Sequence, residues 1–302
     1  MQPRGFTVVY AFMKLRWPLL WLGFFASSAV GQIQVELKFP RLQYIAYEPV
    51  VANLIITNLA GRDVDLRDSE NQPWFGFEVN GSEGQSIAQV SKAGSGPLSV
   101  AAGQRVTRKI NLTPLYGVHD FGTYRVRAHV YFLDLNKFFY SSTKVFEVTD
   151  ARPIWQKTVG MPQDERGSGN ARTYSLMTNR FADHTSLYVR VEDQDSGIVY
   201  ATYSLGQVIA FDQPQAEFDR SNQLHVLYCA APRTWSYAWV GLNGELVSRA
   251  SFAETKTRPR LVHSDDGVIR VAGGMIDTTA AQATRDNAPK LSARPANAPK
   301  ED

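Results

Sequence analysis

Asp120-Phe121-Gly122-Thr123-Tyr124-Arg125-Val126 is the stretch that decides the fold of this 302-residue chain. From Tyr124 to Phe132 every second residue is apolar or aromatic, and the residues between them are Arg125, Arg127, His129 and Tyr131. Side chains of a β-strand point alternately to its two faces, so a period of two separates a buried set from an exposed set. The stretch therefore predicts a long strand that follows a turn and has one face in a core.

The same stretch resembles the tyrosine corner of immunoglobulin-like β-sandwiches, in which a Tyr hydroxyl ties the loop between the sheets to the start of a strand. The residues that match the motif are Asp120, Gly122 and Tyr124. The resemblance implies that the Tyr124 ring lies in the core and its hydroxyl binds an upstream backbone group, near residues 115–118. In antibody domains a Cys follows the Tyr by two positions. Here that position is Val126, so the resemblance implies a sandwich without the disulfide between its sheets.

The same period recurs in other segments between residues 32 and 150. One face of a predicted strand consists of Val50, Ala52, Leu54 and Ile56. The segment 44–58 is similar to the opening strands of many bacterial immunoglobulin-like modules, where Glu-Pro-Val precedes an apolar strand that ends in Asn. Roughly eight short strands, with turns about every 8–12 residues, predict an immunoglobulin-like sandwich over residues 32–150.

Residues 151–276 are predicted to form a second β domain with repeats that resemble the blades of a β-propeller. Leu187 lies 37 residues before Leu224, which lies 45 residues before Ile269. Blade repeats are about 40–50 residues long, and propellers close with about 4–8 blades, whereas this segment has room for about three. An incomplete propeller and a compact stack of antiparallel sheets stay open, and the stack is favoured because it leaves fewer exposed strand edges. The predicted fold class is all-β.

Residues 1–31 are predicted to be a signal peptide. Met13-Lys14-Leu15-Arg16 is its basic start, residues 17–26 are mostly apolar, and Ala29-Val30-Gly31 supplies small residues before the expected cleavage site. Met13 is an alternative start of the chain, and a retained N-terminal anchor is the alternative to cleavage. The protein is therefore expected to be exported, to the periplasm or to the cell exterior.

Removal of the signal peptide also changes the net charge. Its charged residues are Arg4, Lys14 and Arg16, so the formal charge of the chain falls from +3 to zero. A neutral chain lacks the basic footprint of nucleic-acid binding. No second long apolar run follows, so no stable membrane span is expected after cleavage. Residues 277–302 are rich in Ala, Pro, Asn and Thr, which predicts a disordered tail.

The residues that could support catalysis or metal binding are few. Cys229 is the only cysteine, so an internal disulfide framework is excluded. The G-x-S-x-G motif and paired histidines at metal-binding spacing are absent from the sequence. No cofactor is expected, except that Asp193 and Asp195, before Ser196 and Gly197, resemble the first half of an oxygen-rich Ca²⁺ loop. A turn between two strands is the alternative interpretation of these residues, and it is favoured.

Aromatic residues supply the candidate ligand-binding residues. Trp235, Tyr237 and Trp239 alternate, so all three are expected on one face of a strand. If exposed, they would form a stacking platform for a sugar ring or a peptide. If buried, they are core, which is the more common role of such a row and the one favoured.

These observations predict an exported, non-catalytic binding or assembly protein of the cell envelope, with an envelope protein or a glycan as its partner. An enzyme is the less favoured interpretation. The alternative is a glycoside-hydrolase-like or other carbohydrate-active enzyme with an immunoglobulin-like accessory module. That enzyme needs two carboxylates about 5–10 Å apart in a cleft. The candidates are Asp183, Asp193, Asp212 and Asp219.

Overall fold

The structure, a computed structural model, describes residues 33–69, 72–92, 96–161, 171–209 and 212–277. The predicted signal peptide and the predicted tail beyond Asp277 lie outside these ranges. Within them the regular secondary structure is almost entirely β-strand, with one short helix, α1 (Thr113–Tyr116), and a 3₁₀ turn at Leu133–Leu135. The prediction of an all-β fold is therefore confirmed.

The first half of the described chain forms a β-sandwich, called here the first sandwich. Its strands are β1 (Ile33–Lys38), β2 (Gln43–Ile45), β3 (Val51–Asn58), β4 (Val64–Leu66), β5 (Phe75–Asn80), β6 (Leu98–Val100), β7 (Arg105–Asn111), β8 (Gly122–Phe132), β9 (Lys137–Tyr140) and β10 (Lys144–Thr149). One sheet has the order β1-β3-β7. The other has the order β2-β10-β8-β5, with β9 also paired with β8, and β4 pairs with β6. β2 runs parallel to β10, and the other pairs are antiparallel.

The inward side chains of the two large sheets form one apolar cluster, which includes Leu54, Trp74, Tyr124 and Phe146. Along β8 the buried residues alternate with partly buried or exposed ones from Tyr124 onward, as the period of two predicts. The outward side chains of β8 are therefore free to form a surface, and His129 and Tyr131 lie on that side.

Tyr124 lies at the start of β8 with its ring buried in the core and stacked on Phe146, with ring centroids 5.3 Å apart. Its hydroxyl donates a hydrogen bond to the carbonyl oxygen of Asp120 at 2.9 Å. The acceptor is thus four residues upstream, and the predicted position near residues 115–118 is wrong. Gly122 has a φ of 139°, and a Cβ there would lie 2.2 Å from Ser82 Oγ. Glycine is therefore required at this position.

The second half forms another pair of packed sheets, called here the second sandwich. Its strands are β11 (Arg152–Gly160), β12 (Ala171–Arg180), β13 (Thr185–Asp193), β14 (Val199–Gln207), β15 (Gln215–Phe218), β16 (Leu224–Ala231), β17 (Thr234–Val240), β18 (Leu246–Ala253), β19 (Arg260–His263), β20 (Ile269–Ala272) and β21 (Met275–Ile276). The orders are β11-β12-β13-β14 and β15-β16-β17-β18-β21, and β19 pairs with β20 in a separate hairpin. One apolar cluster takes side chains from both large sheets, among them Tyr174, Val189, Val226 and Ala238.

Each large sheet of the second sandwich contains an antiparallel meander of four consecutive strands, which is also the connectivity of a propeller blade, and β21 adds a fifth strand beside β18 in one of them. The spacing of 37 residues between Leu187 and Leu224 relates β13 to β16, which are the third strand of one meander and the second strand of the other. Ile269 lies in the two-stranded hairpin. The repeated spacing therefore relates strands at different positions in their sheets.

Apolar and polar contacts join the two sandwiches. The apolar contact is a small buried cluster of Ile45, Ala151, Met177 and Tyr188. Beside it, Arg41 donates to Glu48 Oε1 at 2.6 Å and to the Tyr188 hydroxyl at 3.1 Å. Arg190 donates to the carbonyl oxygen of Ala46 at 2.8 Å. These contacts bring side chains of β13 against the segment around β2.

Candidate functional site

The predicted aromatic row lies on the outer face of the sheet β15-β18, on the side away from the core shared with β11–β14. Trp235, Tyr237 and Trp239 face Cys229, Leu227 and His225 across the β16–β17 register. Trp235 is 1% exposed, whereas Tyr237 and Trp239 are partly buried. The row therefore has one end that belongs to a core and one end that reaches the surface.

The buried end of the row is covered by the β19–β20 hairpin. Leu261 and Val271 of the hairpin pack against a cluster of Leu227, Cys229, Trp235 and Phe252. Trp235 Nε1 donates to Glu254 Oε2 at 3.0 Å, and the Arg258 guanidinium lies 4.4 Å from the ring centroid. The indole ring of Trp235 thus packs against other side chains of the protein, and its N–H group has a hydrogen-bond acceptor in the same chain.

The other end of the row holds a polar network centred on His225. The Tyr237 hydroxyl lies 2.6 Å from His225 Nδ1, and Asp219 Oδ2 lies 3.2 Å from His225 Nε2. A phenol donates to a ring nitrogen and a carboxylate accepts, so this geometry assigns the proton of the imidazole to Nε2. The imidazole stacks on Trp239 with centroids 5.3 Å apart. Asp219 Oδ1 accepts the backbone N–H groups of Ser221 and Gln223, each at 2.9 Å.

Burial controls the protonation of this network. It lowers the pKa of His225, although the hydrogen bond and the charge of Asp219 act in the opposite direction. It raises the pKa of Tyr237 to about 12, and Asp219 adds to that shift. Tyr237 is thus a protonated phenol at neutral pH and a poor nucleophile. The network orients Trp239 and closes the turn after β15, and it presents no activated group to a substrate.

The two aspartates predicted as Ca²⁺ ligands lie at the β13–β14 turn. Asp193 is buried and accepts a hydrogen bond from Arg172 Nη1. Its Oδ1 accepts the backbone N–H groups of Asp195 and Ser196, at 3.1 and 2.8 Å, and the Ser196 hydroxyl at 2.9 Å. Asp195 is exposed. Among the described residues no three His, Cys, Asp or Glu side chains are grouped so as to hold a metal ion. The contacts of Asp193 are those of a residue that closes a turn.

The four acids considered for a hydrolase each have a basic partner of their own. Asp183 lies 2.7 Å from His184 Nδ1, and Asp219 lies 3.2 Å from His225. The other two pairs are Asp193 with Arg172 and Asp212 with Arg258. A glycosidase needs one carboxyl group that donates a proton and a second that stays ionised on the opposite side of the bond. The hydrogen bond with His184 lowers the pKa of Asp183. Against the effect of burial, the hydrogen bonds from Ser196 and the charge of Arg172 lower the pKa of Asp193. A lowered pKa opposes the role of a proton donor for these two carboxyl groups.

A second aromatic surface lies on the outer face of the first sandwich. It is called here the aromatic face and consists of His129, Tyr131, Phe138 and Tyr140. Ring centroids lie 4.9 Å apart for Tyr131 and Phe138, 5.5 Å for His129 and Phe138, and 6.1 Å for Phe138 and Tyr140. None of the four residues belongs to an apolar core cluster of the described chain. Tyr140 is 42% exposed.

Polar groups surround the aromatic face. The Arg127 guanidinium lies 4.1 Å from the centroid of the Tyr140 ring, which is the geometry of a cation–π contact. The Tyr131 hydroxyl donates to Asn136 Oδ1 at 2.7 Å. Gly76 on β5 lies beneath His129, and a Cβ at Gly76 would lie 2.6 Å from His129 Nε2. The absence of a side chain at Gly76 therefore lets the imidazole lie on the strand backbone.

The period of two places His129 and Tyr131 on the outward side of their strand, but the sequence alone does not indicate the aromatic face. Its other half comes from β9, whose register against β8 pairs His129 with Tyr140 and Tyr131 with Phe138. The sequence signal for this hairpin is Asn136, because asparagine tolerates the positive φ of 47° that the residue adopts.

The chain matches no protein-family profile and none of the curated proteins with which it was compared. In the part of the chain that the structure describes, no helix is both long enough and apolar enough to cross a membrane. Function is therefore inferred from the two outer faces and from the partners of the polar residues.

Proposed function

We propose that the protein is an exported, non-catalytic binding protein of the cell envelope that contacts a partner protein through the aromatic face of its first sandwich. The observation that supports this proposal is the contiguous cluster of partly exposed rings at Tyr131, Phe138 and Tyr140, which contributes to neither core. Apolar rings exposed side by side cost free energy in water, and on soluble proteins such clusters are typical of interaction sites.

The orientation of the rings favours a protein partner over a glycan. The planes of Phe138 and Tyr140 are inclined by 35°, those of Tyr131 and Phe138 by 45°, and those of His129 and Phe138 by 79°. A row of sugar rings would stack best on coplanar aromatic rings, and these are not coplanar. A mixture of Tyr, Phe and Arg in one patch is instead the composition of the energetically dominant centre of a protein interface.

The non-catalytic part of the proposal is supported by the pairing of the acids and by the protonation of the His225 network. Asp219 and Tyr237 have their hydrogen-bonding groups directed at His225 and at the adjacent turn. An enzyme of the glycosidase kind is the competing function, and it would require hydrolysis of an envelope polysaccharide by the purified protein.

The exported part of the proposal is supported by the sequence of residues 1–31, which lies outside the described residues. Purified protein from the secreted or periplasmic fraction should begin at or near Gln32. A membrane fraction that contains an intact terminus at Met1 or Met13 would instead support a retained anchor.

The partner is best sought by site-specific photocrosslinking in intact cells. A photoreactive amino acid incorporated in place of Tyr140 should give a discrete crosslinked protein. The same residue in place of Phe121 is the matched control, because Phe121 is an aromatic residue that is 65% exposed and lies on the corner loop, outside the aromatic face. Crosslinks of equal yield from both positions, or none from position 140, would contradict the proposal.

A further inference from the structure

The β19–β20 hairpin, residues 260–272, covers the apolar end of the outer face of the second sandwich. It is called here the covering hairpin. Beneath it lie Leu227, which is fully buried, Trp235 and Cys229, which is 7% exposed. These three side chains come from β16 and β17, which belong to the five-stranded sheet. The covering hairpin therefore shields surface that the sheet itself leaves open.

The covering hairpin is attached to that sheet without any shared backbone ladder. In the described residues β19 and β20 pair only with each other, as a two-stranded sheet of four residue pairs. A two-stranded hairpin on its own is marginally stable in water. Its position therefore depends on the contacts of its side chains with the sheet.

Few polar contacts hold the covering hairpin down. The backbone N–H of Leu261 donates to Gln215 Oε1 at 2.8 Å, and Arg220 donates to the carbonyl oxygen of Asp265 at 2.9 Å. His263 Nε2 lies 3.6 Å from Glu217 Oε2, and both side chains are more than half exposed. Exposed pairs of this kind add little to stability. The apolar contacts of Leu261 and Val271 are thus the main attachment.

The two ends of the covering hairpin meet at one point. Gly273 and Gly274 follow β20 with φ of 82° and 68°, in the left-handed region that favours glycine. A Cβ at Gly273 would lie 2.7 Å from the carbonyl oxygen of Arg258, and a Cβ at Gly274 would lie 2.7 Å from Pro259 Cγ. Entry and exit of the hairpin are therefore adjacent, and the hairpin joins the rest of the second sandwich at this one point.

We infer that the covering hairpin opens as a unit about residues 257–259 and 273–274 while both large sheets stay folded. In the closed state Trp235 is part of a core. In the open state Trp235, Leu227 and Tyr237 form an exposed apolar surface, which corresponds to the stacking platform that the sequence leaves as the alternative to a core. This local opening is independent of the proposed contact at the aromatic face.

Cys229 reports the opening because it is the only cysteine and lies under the covering hairpin. The full-length protein is mixed with a chromogenic disulfide reagent, and the rate of thiol labelling is measured from zero denaturant to the unfolding transition. A local opening exposes little surface, so at low denaturant the rate should be nearly independent of denaturant concentration. It should also exceed the rate calculated from global unfolding.

Two matched Val→Ala variants test whether the covering hairpin protects Cys229 from labelling. Val271→Ala removes two methyl groups from the buried side of the covering hairpin and should raise the labelling rate at low denaturant by about tenfold. Val262→Ala makes the same change on the opposite side, across from Arg270, and should leave the rate within about twofold. Labelling that follows global unfolding at every denaturant concentration would overturn the inference. Equal effects of the two variants would overturn it as well.

Discussion

His129 and His225 lie at comparable places on two outer sheet faces, and their surroundings differ. Both imidazoles lie beside aromatic rings, and burial lowers the pKa of both. His225 has hydrogen-bond partners on both ring nitrogens, whereas His129 Nδ1 is buried without a partner among the described residues. The second face is covered at one end by its own chain, whereas no described segment covers the first.

Aromatic and histidine residues therefore have different roles on the two outer faces. On the second sandwich, aromatic rings contribute to stability, because a hairpin and a polar network remove them from water. On the first sandwich, the rings of the aromatic face contact one another, and the described residues leave them partly exposed. Rings that a fold leaves partly exposed are available to a partner. Each prediction below compares matched changes on the two faces.

The largest expected difference is between Trp235→Ala and Tyr140→Ala. Trp235 is nearly fully buried, so its truncation should lower the free energy of unfolding by about 3–5 kcal/mol. Tyr140 is exposed, and its truncation should change stability by less than about 1 kcal/mol. Unfolding in urea, followed by fluorescence and circular dichroism, measures both. A Trp235→Ala variant with nearly unchanged stability would show that this end of the row is not core.

A smaller difference is expected between two Tyr→Phe substitutions. Tyr237→Phe removes the donor to His225 Nδ1 and leaves a largely buried acceptor unpaired, which should cost about 1–3 kcal/mol. Tyr131→Phe removes an exposed hydrogen bond to Asn136, where water replaces the partner, and should cost less than about 0.5 kcal/mol. Equal losses in the same urea titration would mean that the His225 network does not stabilise the fold.

The smallest effect is a dependence of stability on pH. Because the folded-state pKa of His225 and His129 lies below the unfolded value of about 6.5, each contributes stability that is present above that pH and lost as the pH falls through the folded pKa. Beside burial, Asp219 raises the pKa of His225 and His263 lowers it. Glu78 raises the pKa of His129 and Arg127 lowers it. The urea midpoint should therefore fall between pH 7 and pH 5.

His225→Gln and His129→Gln separate the two contributions to this pH dependence. Each variant should lose part of the slope of stability against pH, since glutamine does not titrate. A full wild-type slope in the double variant would show that other groups cause the loss of stability at low pH.

The period of two allowed the sequence to predict which side of each strand is buried. Tyr124 and Val126 are inward, Arg125 is exposed, and the row from Trp235 to Trp239 shares one face, because alternation depends only on local backbone geometry. Which end of that row is covered could not be predicted. The cover comes from residues 260–272, whose docking depends on packing between segments that are distant in sequence.

The polar partners escaped prediction for a related reason. Asp219, His225 and Tyr237 are six and twelve residues apart in sequence, and they meet only through the register of β15, β16 and β17. Asp193 and Asp195 resemble the first half of a Ca²⁺ loop in sequence, and a turn between two strands is the favoured interpretation. The pairing of Asp193 with Arg172, which lies 21 residues away, was not visible there. Contacts across strands follow from register, and register is set by the whole sheet.

The central claim is that the aromatic face of the first sandwich is the surface that binds a partner protein. The most direct measurement is the dissociation constant of the purified, crosslink-identified partner for the wild type and for Tyr140→Ala and Phe121→Ala. Tyr140→Ala should weaken binding by about 30-fold or more, the loss typical of a hot-spot residue, while its urea midpoint stays near that of the wild type. Phe121→Ala should bind as the wild type does. Unchanged binding by Tyr140→Ala, or equal loss in both variants, would contradict the claim.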